Sequence, residues 1–181
     1  MLFRSEDVKT LNASSHIYYI QDKNSELNAS DILHSSTLTL SNKNGHLGNK
    51  LGPFWTKLSI QNDSNKTRTL ILYNPLTGTN YIDVYLYKKG IFNKHIMLGD
   101  MLEQKNRTFL NRFSAFELQL SPSEQITIIS KVSNFSVINI AWVIEEPTVF
   151  IEEESKFLIV FSLIGGIFMF FMIVSFISYL F

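Results

Sequence analysis

Along much of this chain apolar and polar residues alternate with a period of two. In FWTKLSI (54–60) the pattern sets Phe54, Leu58 and Ile60 on one face. In YIDVYLY (81–87) Ile82, Val84 and Leu86 face one way, and Tyr81, Asp83, Tyr85 and Tyr87 the other. SAFELQL (114–120) buries Phe116, Leu118 and Leu120 by the same rule, and ITIISKV (126–132) and VINIAWVI (137–144) complete the series. TRTLILY (67–73) is apolar and reads as a central strand. Turn-forming stretches separate the runs: QNDSNK (61–66), NPLTGTN (74–80), KKGIFNK (88–94), SPSE (121–124) and SNF (133–135). Upstream, HIYYIQD (16–22) predicts one short strand and LNASDIL (27–33) a helical turn capped by Asn28 or Ser30. TLTL (37–40) alternates, and NKNGHLGNKLGP (42–53) is punctuated by Gly45, Gly48, Gly52 and Pro53. Short strands at this spacing, without intervening helical periods, predict an all-β antiparallel sandwich or jelly roll.

The alternation stops at Pro147. Phe157 to Phe181 is uncharged and overwhelmingly apolar. As a helix at about 1.5 Å per residue it would reach roughly 37 Å, enough for a hydrocarbon core of about 30 Å. The predicted organisation is a polar lead-in with one short strand (1–30), a jelly-roll domain (31–147), an acidic juxtamembrane linker (148–156) and a single transmembrane helix (157–181). The linker carries Glu152, Glu153 and Glu154 and one base, Lys156, which tilts the orientation towards an external β domain. Acidic residues there also complement the helix dipole. Ser162 and Gly166, with Gly165 beside them, form a small-residue notch of the kind against which another membrane helix packs, although glycine is common in membrane helices generally. The N-terminal MLFRSEDVKT lacks the apolar core and cleavage site of a secretory signal.

Composition narrows the function mostly by exclusion. The formal net charge is +0 over 181 residues, which gives no electrostatic basis for binding nucleic acid. Without cysteine there are no disulfides and no thiolate metal sites. His16, His34, His46 and His95 are scattered, none at metal-ligand spacing, so no metal and no cofactor is expected. Six Asn-x-Ser/Thr sequons (Asn12, Asn28, Asn62, Asn65, Asn106, Asn134) read as chance in so Asn- and Ser-rich a chain. No nucleophile elbow, phosphate loop or dinucleotide fingerprint occurs, and no catalytic residue is assigned. A tethered β-sandwich hydrolase is the enzymatic rival, and the expectation is a non-enzymatic binding protein. Trp55, Tyr81, Tyr85 and Tyr87 are candidates for stacking on a sugar ring, with core filling as the alternative. Arg112 either clamps a polar ligand or pairs with Asp83 or Asp100.

Read in order, FWTKLSIQND, LILYNPLTGTNYIDVYLYKKG and MLGDMLEQKNRTFLNRFSAFELQLSPSEQITIISKVSN resemble one known family. It is the second type of extracellular module of bacterial seven-transmembrane receptors with diverse intracellular signalling modules. The marks are Trp55 opening a strand, Asn62 ending it, Asn74-Pro75, Gly99-Asp100, and Arg112 before the strand that ends in LSP; the similarity covers residues 16–147. The resemblance implies an extracytoplasmic jelly-roll sensor of small molecules or carbohydrates, ahead of the first of seven helices in a bacterial cytoplasmic membrane. Trp55, Tyr81, Tyr85, Asp100 and Arg112 are the expected ligand-lining residues. Other helices of the same receptor would be partners of Ser162, Gly165 and Gly166. On this reading the chain is the front piece of a longer receptor, and a self-sufficient membrane-anchored binding or structural protein is the alternative.

Overall fold

The computed structural model describes residues 9–41, 44–103, 109 and 112–180. The chain divides into two compact units, Met1–Glu146 and Pro147–Phe181. Among the described residues the first unit contains β1 (Thr10–Asn12), β2 (Tyr18–Gln21), α1 (Ala29–His34), β3 (Thr39–Leu40), β4 (His46–Asn49), β5 (Phe54–Gln61) and β6 (Arg68–Asn74). It continues with β7 (Tyr81–Lys88), β8 (Ile91–Leu98), β9 (Ser114–Leu120), β10 (Gln125–Ser133), β11 (Val137–Asn139) and β12 (Val143–Glu145). The strands form a four-stranded sheet ordered β1-β12-β6-β9, a six-stranded sheet ordered β3-β2-β5-β10-β7-β8, and a β4–β11 ribbon. Every pairing is antiparallel. This is the β-sandwich, or jelly-roll, class that the period-two pattern predicts.

The inward positions meet as that pattern requires. Phe54, Leu58 and Ile60 of β5 and Ile82, Val84 and Leu86 of β7 pack in one core with Leu70 and Leu72 of β6 and Phe116, Leu118 and Leu120 of β9. Trp142 lies at 0% exposure in this core, edge-on to Phe116 with ring centroids 5.6 Å apart. Its indole N–H donates to Ser130 Oγ at 3.2 Å, so even the polar atom of this ring is satisfied.

Several marks of the sequence have structural causes. Asn62 is buried at the end of β5, where its Nδ2 donates to the carbonyls of Lys66, Leu120 and Ser121. That amide braces a three-way turn, which removes this sequon as a folded-state acceptor. Asn74, also buried, donates to the carbonyls of Asn139 (2.8 Å) and Ala141 (3.1 Å). Gly99 has φ +123°, and a Cβ there would lie 2.2 Å from the carbonyl oxygen of Asn80. Only glycine fits that position.

Four local expectations change. KKGIFNK is not all turn: Lys89 (φ 50°) and Gly90 (φ 79°) make a two-residue hairpin turn, and β8 starts at Ile91. That strand is a sheet edge exposed along most of its length, so it carries little alternation to detect. VINIAWVI is two strands, β11 in the ribbon and β12 in the four-stranded sheet, with Asn74 bonded to the carbonyls of Asn139, which ends β11, and of Ala141, which lies between the two. The polar lead-in contributes directly to both sheets, β1 pairing with β12 and β2 with β5. Finally, residues 148–156 are not a separate linker. They begin α2 (Pro147–Leu180), one continuous helix of 34 residues. Proline suits a first helical position, and Glu152–Lys156 adds an i,i+4 ion pair at 2.7 Å.

The second unit is α2, long and apolar enough to cross a membrane. Ser162, Gly165 and Gly166 lie exposed on it, with open space at both glycines.

Candidate ligand-binding site

The second face of the six-stranded sheet is built by the residues that alternate with the core. Strand register sets them in rows: Trp55, Lys131 and Asp83 lie abreast on β5, β10 and β7. In the next row are Ile129, Tyr85 and His95, and then Thr127, Tyr87 and Phe92. Segment 22–33 closes over part of this face. Ala29 and Ile32 of α1 pack with Trp55, Tyr87 and Ile129 in a second buried cluster, flanked by Leu27 and Leu33.

Asp22 pins that cover to the sheet. Its buried carboxylate accepts the Trp55 indole N–H at 3.1 Å and the backbone N–H groups of Glu26 and Leu27 at 3.1 and 3.2 Å. Asn28 caps α1 through the N–H groups of Ser30 and Asp31, and Asp31 returns a bond from the Asn28 N–H, a reciprocal capping box. Lys57 Nζ donates to the Leu33 carbonyl and anchors the far end of α1.

What the segment leaves open is a shallow cleft of about 440 Å³, lined by Leu27 to Ser30, Trp55, Asp83, Tyr85, Tyr87, Phe92 and Lys131. Its aromatic residues are held rather than loose. Tyr85 stacks on His95 (4.5 Å, 11°) and tilts against Trp55 (5.9 Å). Phe92 meets Tyr87 edge-on at 5.9 Å. The Lys131 ammonium lies 5.4 Å from the Trp55 ring centroid, a cation–π distance. On the opposite side Asp83 Oδ1 lies 3.0 Å from His95 Nε2. Burial raises the Tyr85 phenol pKa above its ordinary value, and the Asp83 carboxylate and Tyr87 add to the rise.

The five residues expected to line a ligand therefore part company. Trp55 and Tyr85 come together in the cleft, but Trp55 is 2% exposed and serves as its buried foundation. Tyr81 lies on the same face of β7 at 45% exposure, outside the cleft lining. Asp100 lines a different hollow, with Gly99, Phe109 and Phe113, of about 10 Å³, room for roughly one water. Arg112 lies over Phe113 at 4.5 Å, beside that hollow and not among the cleft residues.

Four contributors were not singled out from sequence: Asp22, Phe92, Lys131, and Asp83 as a lining group. The alternation in ITIISKV already sets Lys131 opposite to the core residues Ile128 and Val132. Nothing local marks Asp22 or Phe92, because their roles depend on strands and loops distant in the chain. Among the described residues no group of three His, Asp or Glu side chains is arranged to hold a metal ion.

The family described as 7TMR-DISM extracellular 2 matches residues 14–146 of this sequence. No curated protein matches it. Among solved structures, the chain is similar to a β-glucuronidase from Ruminococcus gnavus in complex with D-glucaro 1,5-lactone. The identity is 9% and the TM-score 0.41, over 81% of this chain and only 31% of the glucuronidase. It is also similar to a family 35 carbohydrate binding module from Clostridium thermocellum, at 11% identity and TM-score 0.34 over 76% of this chain and 98% of that one. A third similarity is to the Podospora anserina GH26-CBM35 β-(1,4)-mannanase, at 17% identity and TM-score 0.30, covering 76% of this chain and 27% of that chain.

Proposed function

This chain belongs to the 7TMR-DISM extracellular 2 family, a family of extracellular sensor modules of membrane receptors, and from that premise we propose that its β domain is a non-enzymatic, ligand-sensing module. The ligand is a small carbohydrate-type molecule, and it sits in the cleft on the six-stranded sheet. One observation carries this reading: a single open cleft joins the exposed ring of Phe92 to the Asp83 carboxylate, the Lys131 ammonium and Tyr85. An apolar ring face stacks on an aromatic side chain while hydroxyls take the polar groups. Trp55 and Asp22 hold the floor and wall beneath these groups rather than touching the ligand.

In this reading the domain lies on the extracytoplasmic side of a bacterial cytoplasmic membrane, and α2 is the membrane span that follows it. Ligand binding favours one arrangement of the sheet domain, and the bias passes to other helices of the receptor that pack at Ser162, Gly165 and Gly166.

Thermal unfolding of the full chain in nanodiscs, with and without a panel of mono- and disaccharides, tests the site. A ligand at about 100 times its Kd adds roughly 2.7 kcal/mol. Phe92→Ala is expected to abolish that gain while leaving the unliganded transition in place. A gain that survives Phe92→Ala would put the ligand elsewhere. For orientation, protease added to intact spheroplasts is expected to digest the β domain; full protection there would sink the extracytoplasmic placement.

A further inference from the structure

Lys131 and Asp83 are directly opposite one another on the adjacent antiparallel strands β10 and β7. Side chains in that relation stand about 4.5–5.5 Å apart at Cβ, within reach of an ion pair between an ammonium and a carboxylate. Here they do not: no ion pair joins the two among the described residues. Lys131 turns towards β5 and lies over the Trp55 ring, and Asp83 turns towards β8 and meets His95. The two side chains are splayed by partners on opposite sides, and both line the same open cleft.

We propose that this splayed couple is a selectivity device for an uncharged sugar ring, bound through two neighbouring hydroxyl groups. The proposal rests on the cleft being the ligand site and names the class of ligand it takes. A hydroxyl accepts from the ammonium and donates to the carboxylate, so adjacent hydroxyls satisfy both groups at once. A uronate satisfies Lys131 but brings a second carboxylate beside Asp83, and an amino sugar satisfies Asp83 but crowds Lys131. Each charged ligand meets one like charge at close range, where the screening of bulk water is reduced. The exposed Phe92 ring supplies the apolar platform that a free amino acid, the other species with both charges, has little surface to use.

The test uses the full chain in phosphatidylcholine nanodiscs, titrated calorimetrically with methyl glycosides of glucose, galactose and mannose. Each is run beside its uronate and its 2-amino counterpart, with glycine as the small zwitterion. At least one neutral glycoside is expected to bind about tenfold or more tightly than both charged counterparts, a difference near 1.4 kcal/mol. Its affinity is expected to vary little between low and high salt. Asp83→Asn should narrow the gap to the uronate, and Lys131→Gln the gap to the amino sugar, with melting curves checking that both variants fold. Should either variant fail to fold, the wild-type affinity ratios and their salt dependence decide alone.

Tighter binding of a uronate, an amino sugar or glycine by the wild-type chain would overturn the selectivity and leave the cleft in place. Unchanged ratios in both folded variants would do the same. If none of these compounds binds, the cleft fails as a sugar site, and the selectivity argument fails with it.

Discussion

Alanine at Trp55 and alanine at Phe92 separate folding from binding. Trp55 is 2% exposed and hydrogen-bonded through its indole to Asp22, so Trp55→Ala is expected to cost about 3–5 kcal/mol in chemical denaturation. Phe92 is 54% exposed, and its loss should cost no more than about 1 kcal/mol while removing ligand-dependent stabilisation. Equal destabilisation by the two would contradict the buried-floor assignment. Gly99→Ala forces a Cβ to 2.2 Å from the Asn80 carbonyl oxygen at a φ of +123°, so a clear loss of melting temperature is expected from a single methyl group. Tyr85 gives a pH signature of defined sign. Its pKa is raised above 10.0, so the folded protein holds the phenol proton more tightly than the unfolded chain. The stability this provides is whole below that value and disappears as pH climbs through the raised one. An absorbance titration of the phenols, compared with Tyr85→Phe, should assign a late-ionising group to Tyr85; an ordinary titration there would mean that neither burial nor the Asp83 charge acts on this phenol.

At the scale of elements, the wall of the cleft depends on a short helix that would not persist alone. α1 has six residues, well below the length at which isolated helices hold together, and it is fixed by its cap, the Asp22 carboxylate and Lys57. Asp22→Ala leaves the Trp55 indole and two backbone N–H groups without their acceptor, at about 1–3 kcal/mol for each donor that stays buried. Amide hydrogen exchange should then speed up across residues 23–34 before it does so in β5, β7 or β10. Uniform acceleration through the sheet would mean that α1 and the sheet open as one unit. The helix was readable from sequence because LNASDIL carries its own start signal, with Asn28 chosen over Ser30 once the capping box forms. The hairpin at Lys89–Gly90 was harder to read, since β8 is an edge strand with five consecutive exposed residues and imposes no period of two. The split of VINIAWVI was hidden for the opposite reason: residues of both sheets are apolar there, and no local break separates them.

For the whole molecule, the division at Glu146 predicts that residues 1–146 fold without α2. That fragment should remain soluble without detergent and unfold in one cooperative transition; aggregation or a broad, non-cooperative melt would show that the core needs the second unit. The sequence by itself determined the class of each unit. Alternation in β5, β7 and β9 states which residues face inward, and the uncharged run from Phe157 declares a helix suited to a bilayer, because burial and hydrocarbon both select on local composition. It also determined the family, through marks such as Asn62, Asn74 and Gly99 that lock turns in place. Only the tertiary structure decided which side chains line the cleft. Trp55 and Phe92 are both strand aromatics, and nothing local distinguishes a ring roofed by segment 22–33 from one left at the rim. Asp100 and Arg112 share the family's pattern with Trp55 yet gather around Phe113, at a hollow of about 10 Å³. Lys131 and Asp83 stand 48 positions apart in sequence and become neighbours only through the β10–β7 register. A binding site is a set of side chains left partly unsatisfied by everything packed around them, and that remainder exists only after the strands have paired.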